Sequence, residues 1–253
     1  MTATDPLPNV IFCNLMYSGS SGVDPVLREL LRVSNFYFTP FGPEGTNRLS
    51  EEVIGRHAPF YHWTHDAPET FAQWFGRSDF RYIFLHRDPR DVVVSWAHDF
   101  QHQNTCPGMS LRELMHMVIT HNLPPNLNAA CRWLQVPCLA VKFDDFKRSS
   151  QRFFEQIIEH LGFDPFTSQP MDGLSLNAAS QEKLTKIIQG HSFEEITGRQ
   201  RGQMGEMIRT GYMLRKGISG EWRAHFDAEL SAIAKQYLGT QIIELGYEQG
   251  DDW

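Results

Sequence analysis

Three short stretches of this sequence carry residues suited to holding an anion. The first is NLMYSGSSG, residues 14–22. An apolar run (Val10, Ile11, Phe12) leads into five small residues, Ser18 to Gly22, and a helical pattern follows. A chain folded this way can cradle a phosphate with its backbone N–H groups. Such cradles usually carry a lysine, whereas this one carries Tyr17 and no cation. The second stretch is RYIFLHRDPRDVVVSW, residues 81–96. An apolar strand ends at Arg87, Asp88 and Pro89 supply a helix N-cap and first helical residue, and Ser95 falls two turns into the helix. An arginine there can meet an anion near the helix N-terminus, and its guanidinium suits a phosphate. The same residues would equally make a salt-bridged Arg–Asp cluster at an ordinary strand-to-helix turn. The third stretch is MLRKGISGEWRAHF, residues 213–226. Arg215 and Lys216 bring charge, and Gly217 and Gly220 permit tight turns and a close backbone approach. The alternative is a solvent-exposed basic turn closed by a buried Trp222. His98 and His102, one turn apart, mimic a metal pair. With no third ligand in sight they are read as a surface or pocket-lining pair.

These residues need a scaffold. The chain has 253 residues, 41% of them apolar, enough for one large α/β domain or two small ones. No stretch approaches the roughly 20 apolar residues of a membrane span. Residues 1–9 have no block resembling a signal peptide. Cys13, Cys106, Cys131 and Cys138 show no paired spacing, which argues against a metal site or disulfide framework and fits a reducing, cytoplasmic setting. The net charge of −7 argues against general nucleic-acid or membrane binding. Yet from Arg199 to Arg223 six basic residues face two acidic ones, Glu206 and Glu221. Such a patch fits a small anionic ligand or simply a solvated basic face.

Apolar runs at Asn9–Leu15, Phe60–Trp63, Arg81–His86, Cys138–Phe143 and Gln241–Leu245 read as strands. Helical patterns lie at Asp24–Val33, with Asp24 as N-cap and Pro25 at the first helical position, and at Pro68–Gly76, Pro89–Gln101 and Leu111–Thr120. Others are Ser150–Leu161, Gln181–Gln189 and Phe226–Leu238, the last stopped by Gly239. This alternation predicts an α/β fold: one central parallel β-sheet flanked by helices, with ligands beyond the carboxyl ends of the strands. Gln200–Gly220 reads as an ordered loop or lid. No repeat or low-complexity tract interrupts the chain.

The three stretches together resemble the sulfotransferases that use 3′-phosphoadenylyl sulfate (PAPS). Their second signature, an apolar strand and then Arg-Asn-Pro-Lys/Arg-Asp-Val-x-Val-Ser, stands here as Arg87-Asp88-Pro89-Arg90-Asp91-Val92-Val93-Val94-Ser95. Their late signature, Arg-Lys-Gly-x-x-Gly-Asp-Trp, stands as Arg215-Lys216-Gly217-Ile218-Ser219-Gly220-Glu221-Trp222. A Ser-Phe pair upstream is Ser192-Phe193, and a Thr-His pair before the second signature is Thr64-His65. The resemblance runs in family order from residue 9 to about residue 226. It implies a single domain over residues 1–253 with a P-loop NTPase-like sulfotransferase fold. It implies that Arg87, Ser95, Arg215 and Gly217, with Lys216 nearby, hold the 3′-phosphate of PAPS and of its product PAP. Phe193, after Ser192, would pack on the adenine, helped by Phe143. Ser18, Gly19, Ser20 and Ser21 would receive the 5′-phosphosulfate, and His65 would be the general base. No metal is implied. The acceptor would be a small molecule of apolar or aromatic character, with Phe36, Tyr37, Phe38, Phe41, Trp96 and Phe100 as candidate pocket aromatics.

The sequence departs from the family at three points. Its first signature, Pro-Lys/Arg-Ser-Gly-Thr-Thr-Trp, is Met16-Tyr17-Ser18-Gly19-Ser20-Ser21-Gly22 here, so Tyr17 stands for the cation and Gly22 for the tryptophan. Trp63 stands where many relatives have a lysine before the histidine. The short dimer motif of many cytosolic relatives is not found. Tyr17 is a candidate catalytic donor or a pocket-lining residue, and Lys216, Arg90 and Lys142 are candidate replacement cations. The competing expectation is a catalytically weak or inactive PAPS/PAP-binding module. A P-loop kinase is disfavoured, because SGSSG lacks the Gly-Lys-Ser/Thr ending that grips a triphosphate.

Overall fold

The computed structural model describes residues 7–39, 54, 57–171, 176–205, 208–209, 213–250 and 252–253. Phe41 and Glu206 lie outside them, as does the side chain of Arg209. Five strands form one parallel sheet: β1 (Asn9–Asn14), β2 (Tyr37–Phe38), β3 (Phe60–Thr64), β4 (Phe80–His86) and β5 (Leu139–Lys142). Their spatial order is β2-β3-β1-β4-β5. The central strand β1 pairs Ile11 with His62 on one side and Tyr82 on the other. Every residue of β1 is buried, as a strand covered on both faces requires.

Alternation along the strands splits the core in two. Val10, Phe12, Ile83 and Leu85 face α1 (Ser20–Val33) and a later helix, Ser150–Leu161. Ile11, Cys13, Tyr82 and Phe84 face the other layer, which holds α2 (Pro89–Gln103), α3 (Leu111–Met117) and α4 (Leu123–Cys131). The remaining helices are α5 (Phe143–Arg148), α6 (Ser150–Leu161), α7 (Ala178–Gly190), α8 (Phe193–Thr197) and α9 (Ala228–Glu244). Among the described residues no helix is long and apolar enough to cross a membrane.

Two expectations are corrected. Gln241–Leu245 is not a strand: residues 241–244 continue α9, and Gly239 is buried inside that helix and does not end it. Leu230, Ala234, Leu238 and Ile242 recur every fourth residue and bury one stripe, so packing carries the helix through the glycine. Asp24 does not cap α1. The helix starts four residues earlier, at Ser20, because Gly19 adopts the left-handed turn (φ 91°) that lets the chain wind there. Asp24 is buried in the second turn, accepting hydrogen bonds from Tyr61 Oη (2.5 Å) and Arg28 Nε (2.7 Å). Pro68–Trp74 is a 3₁₀ segment, and α3 passes into a π-helical turn at Val118–Asn122.

Candidate active site

The loops leaving the carboxyl ends of β1, β3 and β4 meet at one cavity of about 680 Å³. The β1 loop brings Tyr17, Gly19, Ser20 and Ser21 to its wall. His65 follows β3, Arg87 follows β4, and Ser95 projects from α2. Phe143 opens α5 and Phe193 opens α8. Arg215, Lys216 and Gly217 come from the distant late loop. Ser18 and Ser192, also singled out from sequence, do not line it. Ser18 is wholly buried beneath the loop, and Ser192 caps α8 by accepting from the Glu195 N–H (3.2 Å).

The second signature and the late loop are joined by buried polar contacts. Asp88 caps α2, accepting from the Arg90 N–H at 2.9 Å. Asp91 accepts from the backbone N–H groups of Gly220 (2.6 Å) and Trp222 (3.0 Å). Burial raises the Asp91 pKa, and the Arg87 charge, 3.7 Å away, works against that rise. Arg87 is itself 7% exposed and donates from Nη2 to the Ile218 carbonyl at 2.7 Å. It also lies over the Phe143 ring, 5.1 Å from its centroid. Arg215 donates from Nη1 to Glu221 Oε1 (2.8 Å) and also pairs with Oε2, and Lys216 Nζ donates to Oε1 (2.7 Å). Burial pushes the Glu221 pKa up, but the bonds from Arg215 and Lys216 outweigh it and hold the group at about 2.

Glycines set the shape of two walls. A Cβ on Gly19 would come within 2.3 Å of the Phe143 ring, and one on Gly217 (φ +62°) within 2.8 Å of the Phe193 ring. Both loops therefore lie flat against an aromatic face, which only glycine permits. Among the described residues, the buried atoms Ser18 Oγ, Arg87 Nε, Arg215 Nε and Ser219 Oγ have no hydrogen-bond partner. Buried polar atoms are ordinarily paired; of these four, the Arg87 and Arg215 atoms belong to cavity-lining side chains and fit a ligand that completes them.

His65 is exposed into the cavity yet enclosed by protein on its other sides. Its Nδ1 lies 2.7 Å from the Asn14 carbonyl, which can only accept, so Nδ1 carries the proton. Nε2 is then the acceptor nitrogen. Burial lowers the pKa of His65, against the pull of the Asn14 carbonyl and Asp66, so the ring is neutral at pH 7. The ring stands edge-on to Trp63 at 4.6 Å.

A family model described as the sulfotransferase domain matches residues 43–246. The chain belongs to the sulfotransferase domain family. Solved structures agree on the fold. Mouse sulfotransferase SULT7A1 complexed with PAP superposes at a TM-score of 0.64 and 16% identity, over 95% of this chain and 89% of that one. Retinol dehydratase in complex with retinol and PAP gives 0.60 and 15%, over 94% and 82%. The same enzyme with androsterone and inactive cofactor PAP gives 0.59. Comparison with curated protein sequences finds no significant match.

The sulfotransferase match begins downstream of the Asn14–Gly22 loop, where the sequence departs furthest from the family pattern. In this sulfotransferase domain Tyr17 has a left-handed backbone (φ 61°), stacks on Trp96 at 5.0 Å and donates its hydroxyl to Asp99 Oδ2 at 2.8 Å. Of the three candidate replacement cations, Lys216 alone lines the cavity. Arg90 is buried between Trp222 (3.9 Å) and Trp253 (4.4 Å) and paired with Asp88 and Glu248. Lys142 donates to the Gly246 carbonyl at 2.6 Å. Arg201, from the basic patch between Arg199 and Arg223, lines the cavity as well, and so do two cations that no sequence pattern singled out, Arg28 and Lys147. The aromatic lining also differs from expectation. Tyr17, Trp63, Phe143, Phe146 and Phe193 form it, whereas Phe36, Tyr37, Phe38, Trp96 and Phe100 do not. His98 is not joined by His102 in a ligand group. Its ring nitrogens instead lie near Glu221 and His225, the three residues' ligand atoms falling within 4.8 Å of one another.

Proposed function

We propose that this chain transfers a sulfuryl group from PAPS to a hydroxyl or amine of a small-molecule acceptor. The observation that carries the reading is the convergence of Arg87 and Arg215, far apart in sequence, on one cavity with the glycine–serine loop and His65. PAPS, when bound, supplies the sulfuryl group and leaves as PAP. Arg87, Ser95, Arg215, Lys216 and the Gly217 backbone would hold its 3′-phosphate. Phe143 and Phe193 would flank the adenine, with Ser192 keeping Phe193 in place through the α8 cap. Gly19, Ser20 and Ser21 would receive the 5′ end at the start of α1, where N–H groups and the helix dipole favour negative charge, with Ser18 buried beneath them. The flat loop at Gly19 and the orphaned Arg87 and Arg215 Nε atoms support this fit.

His65 acts as general base. Its Nε2 accepts the proton of the acceptor hydroxyl, and the Asn14 carbonyl keeps the ring oriented through Nδ1. Met16, Trp63, Leu214 and Ile218 give the cavity apolar wall, which suits an acceptor with apolar or aromatic character. Retinol dehydratase, crystallised with retinol and with androsterone, agrees with that class. The protein's share of such a transfer is positioning and charge stabilisation.

One observation favours a second reading, a module that binds PAP without turnover. The residue in the lysine's place, Tyr17, offers no charge and gives its hydroxyl to Asp99. Two measurements separate the readings. Calorimetric titration with PAP and with ATP tests the donor class, and saturable PAP binding without ATP binding is expected. Transfer of labelled sulfate from PAPS to a panel of phenols, alcohols and amines then tests turnover. Binding without transfer to any acceptor would leave the module, and ATP binding without PAP binding would overturn both.

A further inference from the structure

Glu221 is the acid within the late signature, at the place where the family pattern has the shorter aspartate. It is 6% exposed and lies in the cavity wall. Its carboxylate takes two contacts from the Arg215 guanidinium and one from Lys216 Nζ. That is the bidentate-plus-ammonium pattern a phosphate monoester would receive. We propose that Glu221 is an internal stand-in for the 3′-phosphate, competing with the nucleotide for Arg215 and Lys216 and setting the affinity and selectivity of the donor site. The inference rests on the PAPS reading above.

The loop is built so that the side chain can yield without its backbone. Asp91 pins the N–H groups of Gly220 and Trp222, on either side of Glu221, to the N-terminal turn of α2. A side-chain rotation is then enough to uncover the two cations. The displaced carboxylate has somewhere to go. His225 Nε2 lies 3.5 Å from Oε1, a ring nitrogen of His98 lies within 4.8 Å of the carboxylate, and His98 Nε2 is buried without a partner among the described residues. The same three residues have the composition of a metal site. Arg215 and Lys216 already occupy the carboxylate and put two positive charges beside the cluster, so it is better suited to receiving a carboxylate than a cation.

The competition has a selectivity consequence. A ligand must offer these cations more than a carboxylate does. A phosphate monoester, dianionic with three terminal oxygens, meets that test, whereas a ligand ending in a 3′-hydroxyl does not. If the carboxylate holds the cations about nine-tenths of the time, phosphate affinity falls about tenfold.

The test is calorimetric titration of PAP, and of 5′-AMP, which lacks the 3′-phosphate, into the parent chain, Glu221→Gln and Glu221→Asp. The expected result is PAP binding about tenfold tighter in Glu221→Gln, with 5′-AMP binding changed less than twofold. Glu221→Asp, whose carboxylate is shorter by a methylene, is expected to bind PAP more tightly than the parent. It carries the test alone should Glu221→Gln fold poorly by circular dichroism. Equal or weaker PAP binding in the folded variants would show that Glu221 merely braces the loop, overturning the inference and leaving the donor reading intact. An equal gain for PAP and 5′-AMP would overturn it as well. PAP binding by none of the three proteins would mean that the donor reading has failed, and this inference with it.

Discussion

Gly19→Ala perturbs the anion cradle through two separable terms. Gly19 has φ +91°, in the left-handed region, where an L-residue costs about 1–2 kcal/mol. Its new Cβ would also lie 2.3 and 2.4 Å from two carbons of the Phe143 ring. Phe143 cannot simply rotate away, since it packs on Phe146 at 5.7 Å and beneath the Arg87 guanidinium. Overpacking of this kind costs typically about 1–3 kcal/mol. The expected destabilisation is therefore about 2–5 kcal/mol. With an unfolding entropy of about 2.1 cal/mol/K per residue over 253 residues, the melting temperature falls by about 4–9 °C. Gly76→Ala is the internal control. Gly76 has φ +85° and nothing within 4 Å of its would-be Cβ, so it suffers the backbone term alone. Scanning calorimetry of both variants isolates the clash as the difference, and PAP titration of Gly19→Ala reads the displaced loop as weaker binding. A Gly19→Ala chain that melts no lower than Gly76→Ala would refute the packing of this loop on Phe143.

Two further expectations address the site directly. Arg87→Ala removes a buried guanidinium worth charge-assisted hydrogen bonds of about 1.5–3 kcal/mol each, so PAP affinity falls about 100-fold or more while the far-ultraviolet spectrum is retained. Affinity within threefold of the parent would remove Arg87 from the phosphate site. His65→Ala leaves PAP affinity unchanged and lowers turnover about 10²–10⁴-fold. In the parent, the base must be neutral, and burial holds its pKa below the ordinary 6.5. The acidic limb of turnover is therefore centred below pH 6.5; a limb centred above pH 6.5 would contradict the assignment.

Much of the scaffold was legible because buried parallel strands announce themselves as continuous apolar runs, as β1 and β4 do. The loops were legible where chemistry is dense in sequence: Arg87 with Ser95, and Arg215 with Lys216 and Gly217. The misread parts depended on distant partners. Gly239 and the Ile242-Ile243 pair read locally as a stop and a strand, and only the stripe buried against α4 makes them helix. Asp24 reads as a cap until Tyr61, on another strand, takes its carboxylate. Arg90 stands inside a signature yet belongs to the clasp formed by Trp222, Trp253 and Glu248. Conversely, Arg28 and Lys147 are single cations on unremarkable segments, and nothing but the fold brings them to the cavity, whereas Arg201 was already marked by the basic patch.

Those late-found cations bear on how a loop led by Tyr17 manages an anion. The cavity wall carries Arg28, Arg87, Lys147, Arg201, Arg215 and Lys216 against Asp24 and Glu221, six positive groups against two negative ones. Several already have carboxylate partners: Arg28 with Asp24, Arg201 with Glu194, and Arg215 and Lys216 with Glu221. Lys147 is placed differently. Burial, and then the charge of Arg201, lower its pKa to about 8, with Glu194 opposing and Arg87 adding to the fall. A lysine so depressed is stabilised in its charged form by any anion that arrives beside it. Its pKa then rises, and at pH 8, where about half of these side chains are neutral, the protein takes up a proton on binding. Titrating PAP at pH 8 in buffers of different ionisation enthalpy measures that uptake directly. An uptake of up to about half a proton in the parent, abolished in Lys147→Met, is expected. A binding enthalpy independent of buffer would show that the anion sits away from Lys147, and the charge missing beside Tyr17 would then have to come from elsewhere in the wall.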